Sequence, residues 1–344
     1  MDKNVISDIL ESLKISLKEK GDHVQFNDPS YKPIRIDKNN FKEIKDIDTN
    51  QKIAFIDAGN TEILKAPNFS LQLIRTYYSI YEQNKRISSK KQEFYILINA
   101  ENKEENINYK VKFFGLDKKE LEFNSFDETI RQGKHRISIT SIGNVIRRFA
   151  ELQTAKEIIN ELNKNDIIVM DGDLKATITN EINYLNELYQ KSIEKNIIIS
   201  AISKTSELFT ETGNALIPVL NEIAPNTEWY YHPLVEISNE NHKVGMYIIK
   251  LHKNSNYIFK FEIFNKIKYN IDNILSILKQ NSKDPVFLGY PYGLIEADQK
   301  ARISNKENEY LKTVFISKLG KNNKKISQYL TTVNTHTILD SISY

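Results

Sequence analysis

Apolar residues in this chain gather into short runs set between charged and Asn-rich stretches, and two of those runs end alike. Ile53 to Ile56 leads into Asp57, Ala58, Gly59 and Asn60, and Ile167 to Met170 leads into Asp171, Gly172 and Asp173. Continuous apolar runs of this length, bounded by turn formers, predict strands buried on both faces. Each strand would present an aspartate at its carboxyl end, where an open α/β sheet offers its ligand sites. Taken singly, an Asp beside a small residue is also a plain turn signal. Two such carboxylates at one sheet edge can share a divalent cation.

The segments 61–65, 71–81, 94–99 and 109–115 are rich in β-branched and aromatic residues. They predict a meander of three or four antiparallel strands continuing from the first. Thr140 or Ser141 can cap a long helix from Ile142. Its apolar positions, Ile142, Val145, Phe149, Leu152, Ala155, Ile159 and Leu162, recur at three and four and form one stripe for the sheet. Glu151 flanks that stripe at ion-pair spacing from Arg147 and Arg148. A helix over 176–195 and a strand over 197–202 follow the second acidic strand, which predicts a right-handed parallel crossover. A short helix over 215–223, strands at 229–231, 244–251 and 257–264, and a helix over 271–278 come next. Helices from about Leu294 and Glu307 close the pattern. Residues 1–19 read as an amphipathic helix, and 20–50, with Pro29 and Pro33, as a connecting segment. No linker divides the rest, so 51–344 is expected to be a single elaborated α/β domain.

Composition narrows the chemistry. The 344 residues are 40% hydrophobic and 27% charged, enough for a packed core, and the net charge is only +3. Nucleic-acid binding would therefore rest on local patches. The absence of cysteine excludes disulfides, thiolate zinc sites and cysteine nucleophiles, and the six histidines are scattered. No apolar run approaches the roughly 18 residues of a membrane span. A cytoplasmic protein without a membrane partner is expected.

Antiparallel strands followed by helix, strand, helix and strand, with an acid on the first strand and another on a later one, form the layout of RNase H-like nucleases. The expected fold is thus an RNase H-like mixed sheet flanked by helices, with N-terminal and C-terminal helical extensions. Five blocks in this order resemble the NurA-type nuclease family, which acts with the HerA DNA translocase. Ile56-Asp57-Ala58-Gly59 resembles its first motif, usually Asp-Gly-Ser, with Ala58 a conservative departure. Arg147 to Glu151 resembles its acidic helix position, Asp171-Gly172-Asp173-Leu174 its Asp-Gly-Ser-Leu motif, and Ser203-Lys204 its lysine-containing segment. The block from Gly289 and Tyr290 to Asp298 resembles its tyrosine- and proline-bearing segment, where some members have histidine at the position of Asp298.

The resemblance implies that Asp57, Glu151 and Asp171 bind Mn²⁺ or Mg²⁺, with Tyr290 and Asp298 joining them in catalysis. Tyr290 would stack on a base or donate to a phosphate, and Asp298 would add a ligand or simply pair with Arg302. It also implies 5′-to-3′ exonuclease and single-strand endonuclease activity in DNA end resection, a homodimer, and HerA as partner. Hard oxygen ligands suit those ions. Arg147, Arg148 and Lys204 are candidate DNA contacts, as are Lys134 and Arg136 of the basic cluster at 131–136, unless that cluster is a solvated loop. Two other readings share the fold: a DNA-binding or scaffolding subunit of a translocase, and a nuclease acting on RNA.

Overall fold

The computed structural model describes residues 3–16, 21–104, 106–131 and 133–319. In chain order its elements are α1 (Lys3–Ser16), β1 (Tyr31–Pro33), β2 (Phe41–Glu43), β3 (Ile53–Ala66), β4 (Phe69–Glu82), β5 (Lys85–Lys103), β6 (Asn106–Phe114) and β7 (Leu121–Asn124). Then follow α2 (Ser141–Ile158), β8 (Ile167–Asp171), α3 (Glu181–Lys195), β9 (Ile198–Ser203), α4 (Leu216–Ile223), β10 (Trp229–Tyr231) and β11 (Val235–Ile237). The last are β12 (Val244–Lys250), β13 (Phe259–Phe264), α5 (Ile271–Asn281), α6 (Tyr292–Ala301) and α7 (Asn305–Leu319).

Eleven strands form one mixed sheet in the order β2-β10-β12-β13-β9-β8-β3-β4-β5-β6-β7. Only β3–β8 and β8–β9 pair in parallel, and the expected RNase H-like α/β arrangement holds. β3 outruns its apolar run. Ile53 to Ile56 pair with Ile167 to Met170 of β8, but past Asp57 the strand goes on to Ala66, paired only with β4. Asp57 therefore lies within a strand, at the point where β8 parts from it.

Period-two alternation divides the core. Ile53, Phe55, Ile167 and Val169 face α5 and α6, packing on Leu275, Leu278 and Leu294. Ala54, Ile56, Ile168 and Met170 face α2 and α3, packing on Leu152, Ala155, Leu185 and Leu188. The leading half of α2, with Ile142, Val145 and Phe149, covers β4 to β7. Thr140 occupies the N-cap position without capping, because its hydroxyl donates to Glu62. The helix expected from 176 begins instead at Glu181. That residue's carboxylate accepts the Thr177 and Ile178 N–H groups and holds residues before it in a loop.

Trp229, Tyr230 and Tyr231 are core residues of β10, so none offers a face to a base. The apolar side chains Val5, Ile9 and Leu10 of α1 stay largely exposed. Among the described residues no helix is long and apolar enough to cross a membrane.

α6 lies against β3 more closely than a side chain at two positions would permit. A Cβ on Gly293 would fall 1.9 Å from the Phe55 ring, and one on Gly59 would fall 2.4 Å from the Ala301 carbonyl oxygen. Buried Glu296 ties the helix to the neighbouring strand β4, accepting from the Tyr77 hydroxyl at 3.0 Å and the Tyr81 hydroxyl at 2.6 Å while pairing with Arg86. Gly293→Ala should lower stability in urea unfolding by about 1–3 kcal/mol through overpacking, although alanine gains about 1 kcal/mol of helix propensity. An unchanged or raised midpoint would contradict this packing.

Candidate metal centre

Asp57 is the buried hub of the site. Its strand carries it to the sheet interior at 7% exposure, and its Oδ1 accepts the Ala58 N–H at 2.7 Å. Asp171 ends β8 beside it. Asp298 arrives from α6 on the Phe55 side of the sheet, and one carboxylate oxygen of each of the three lies within 4.8 Å of the others. Glu151 comes from α2 on the opposite side and lines the same cleft as Asp57 and Asp171. It is 2% exposed; Arg148 approaches its Oε2 at 3.6 Å, while its Oε1 has no hydrogen-bond partner among the described residues.

One lysine answers the accumulated negative charge. Lys204, just past β9, places Nζ 2.6 Å from Asp171 Oδ2 and 3.2 Å from Asp298 Oδ1. Burial works against its charge, but the Asp171 and Asp298 carboxylates outweigh that and hold its pKa above the ordinary lysine value. The Asp298 carboxylate thus pairs with Lys204; Arg302 lies beyond the end of α6, its N–H donating to the Asp298 carbonyl. Lys204 also lies 5.7 Å from the centre of the Tyr290 ring. That ring packs on Phe259 and Phe287 at 1% exposure, leaving no face for a base. Only the Tyr290 hydroxyl remains for chemistry; it is buried, and burial first, then the Asp171 and Asp57 charges, raise its pKa.

The two arginines divide their work. Arg147 donates to the Ala58 carbonyl at 3.0 Å and borders the cleft. Arg148 lines the cleft as well but is drawn inward, bonded at 2.8 Å to Glu181 and at 2.7 Å to the Asp173 carbonyl, so its guanidinium braces the site. Lys134 and Arg136 sit exposed on the loop before α2, where the Arg136 guanidinium lies 5.3 Å over the Phe126 ring. Neither joins the carboxylate group, whereas Thr129 and Ile130 of the same loop line the cleft. Asp173 lines the cleft but pairs with Ser203 and Lys260 and stands outside the close group of carboxylates, and Asp166 accepts the Lys52 and Asn163 N–H groups at 2.9 and 2.7 Å, a purely structural use.

The cleft has a volume of about 590 Å³. Its wall includes Lys175, which sequence reasoning passes over because nothing in its spacing distinguishes it from other surface lysines. Glu181 and Glu296 are missed for another reason: a glutamate on a helix signals nothing until its buried partners are known. The donor set suits a hard divalent cation. It is all oxygen and gathers three aspartates, Asp57 buried and Asp171 and Asp298 half-buried, while the unpartnered Oε1 of Glu151 lies outside that close group on the wall of the same cleft.

Burial, then the Glu151 and Asp171 charges, push the Asp57 carboxyl up to about 7, with the Ala58 N–H and Lys204 opposing. A carboxyl of the unfolded chain releases its proton near 3.8. Between those values the folded form holds a proton that the unfolded form has lost, so stability falls as pH rises through that window. Asp57→Asn removes the titration. In EDTA it should melt higher than the native chain at about pH 8, by on the order of 2–4 kcal/mol, and lose that advantage towards about pH 4. Equal melting at both values would contradict the buried, charge-crowded setting of Asp57.

Residues 51–303 match the model of the NurA domain. Among curated proteins none matches the chain. The crystal structure of the NurA nuclease from Sulfolobus solfataricus superposes with a TM-score of 0.54 at 17% identity, covering 94% of this chain and 95% of that one. At that identity the likeness is one of fold. The catalytic domain of human Endonuclease V superposes with a TM-score of 0.40 at 9% identity, covering 92% and 99% of the two chains. Endonuclease V of Ciona intestinalis, in complex with an inosine-containing DNA, gives 0.38 at 11% identity, covering 77% and 87%. With the family match extending over most of its length, the chain belongs to the NurA domain family.

Proposed function

We propose that this chain is a metal-dependent deoxyribonuclease, a phosphodiester hydrolase with 5′-to-3′ exonuclease and single-strand endonuclease activity in DNA end resection. The observation that carries this reading is the gathering of Asp57, Asp171 and Asp298, with Glu151 beside them, in a chain of the NurA domain family. Asp57, Glu151 and Asp171 would hold Mn²⁺ or Mg²⁺, and Asp298 would add an oxygen where some family members carry histidine. An acid there favours cation binding over proton transfer. When bound, the ion supplies Lewis acidity at the scissile phosphate and lowers the pKa of an attacking water.

The remaining roles belong to side chains of this protein. Lys204, a compact point charge between Asp171 and Asp298, would exchange a carboxylate for a phosphate oxygen when substrate enters. Arg147, on the cleft border, would hold a neighbouring phosphate, and the Tyr290 hydroxyl would donate to a non-bridging oxygen. Lys134 and Arg136 would follow the backbone further out, giving affinity that falls with salt. Arg148 has a bracing role in this scheme, keeping Glu151 and the 172–174 turn in place. Membership in the family supports a homodimer working with a HerA-type translocase.

Labelled single-stranded DNA should be cut with Mn²⁺ and left whole with EDTA. Asp57→Ala and Asp171→Ala should each reduce cutting to background while remaining folded by circular dichroism. Full cutting by either variant would reject the site assignment. DNA binding with no cutting under any condition would instead mark a scaffolding subunit, and faster cutting of a matched RNA would move the substrate class.

A further inference from the structure

The turn that follows Asp171 is gripped by two charges, buried Glu262 and half-buried Lys260, from a strand that takes no part in the site. Gly172 has φ +106°, a backbone conformation that side-chain-bearing residues rarely adopt, and there the chain swings away from β8. Lys260 of β13 places Nζ 2.7 Å from Asp173 Oδ1. Glu262, two residues on and on the same strand face, accepts the Leu174 N–H at 2.9 Å through Oε2. The two side chains pair at 3.0 Å, and His242 reaches Glu262 at 3.1 Å while its other ring nitrogen meets the Tyr31 hydroxyl at 2.8 Å. Ser203 completes the grip, donating to the Gly172 carbonyl at 2.9 Å. Glu262 has no exposed surface.

Such a buried ion group is a poor device for stability, since well-packed apolar side chains of similar volume commonly serve as well or better. An apolar pair, however, offers neither an acceptor to the Leu174 N–H nor a cation to Asp173. β13 reaches the turn through β9, with Lys260 opposite Ser203 and Glu262 opposite Ala201. The contacts therefore run from a rigid neighbouring strand to the residues immediately after Asp171, which alone of the carboxylates sits at a strand end followed by a glycine turn.

We infer that Lys260 and Glu262 are positioning residues that hold the Asp171 carboxylate in register with Asp57, and thereby set divalent-cation affinity. The inference rests on the metal-nuclease reading above. It also accounts for the charges of Lys260 and Glu262 on one face of β13, a strand otherwise made of apolar residues.

The test uses the full chain, stripped with EDTA and desalted, and titrated with Mn²⁺ alone by calorimetry. Lys260→Met with Glu262→Met keeps apolar volume and removes the grip. It should melt near the native temperature, bind Mn²⁺ about 10- to 100-fold more weakly, and lose kcat on single-stranded DNA with KM little changed. Glu262→Gln, which keeps an acceptor for Leu174, should fall between the two. Native Mn²⁺ affinity in the double variant, with binding abolished by Asp171→Ala, would overturn the inference and leave the metal reading intact. Absence of saturable Mn²⁺ binding by the native chain would overturn both. Should the double variant fail to fold, Glu262→Gln decides: weakened affinity supports the inference, and native affinity overturns it.

Discussion

Asp57, Asp171 and Asp298 bring like charges together where Asp57 has almost no contact with solvent, and both desolvation and mutual repulsion oppose that gathering. The surrounding structure is arranged to hold them there regardless. Lys204 answers Asp171 and Asp298 directly, Arg148 answers Glu151 from behind, and the Ala58 N–H bonds the Asp57 carboxylate. A site held this way would bind a divalent cation with less reorganisation than a fully solvated acidic patch, because its oxygens already face one another, with Asp57 buried and Asp171 and Asp298 half-buried.

Two layers of the fold share the task of aiming. On one face of the sheet, Gly293 over Phe55 and Gly59 under Ala301 let α6 lie close enough to bring Asp298 to the strands, and Glu296 keeps it from sliding. On the other face, α2 carries Glu151 towards Asp57 while Arg148 ties the helix to Glu181 and to the turn after β8. The carboxylates thus converge through the plane of the sheet from both sides. That is possible only where β3 and β8 separate, because elsewhere paired backbone closes the gap.

The two acidic runs, the antiparallel meander, the long helix and the crossover were legible as elements because their apolar periodicities are strong and local. Boundaries were less so. β3 was read as a short strand ending at Asp57, since Gly59 and Asn60 resemble a turn; its pairing with β4 carries it on to Ala66. The start of α3 was misplaced for a similar reason, because the Glu181 carboxylate binds two preceding N–H groups, and this is invisible to propensity. The buried partners of Arg148 and of the Tyr290 ring, Glu181 for the one and Phe259 for the other, are equally invisible to local pattern.

By itself the sequence determined which residue types could do the chemistry: carboxylates following apolar strands, no thiolates, and a lysine after the third strand of the parallel set. These follow from composition and from patterns within a few residues, where local propensity acts. Only the tertiary structure decided which acids meet, and from which face. Asp298 joins Asp57 and Asp171 because α6 docks on β3 through contacts between residues more than two hundred positions apart. Lys204 finds its two carboxylates, and Asp173 turns to Lys260, for the same reason. Such long-range pairings depend on the packing of whole elements, and no window along the chain contains both partners.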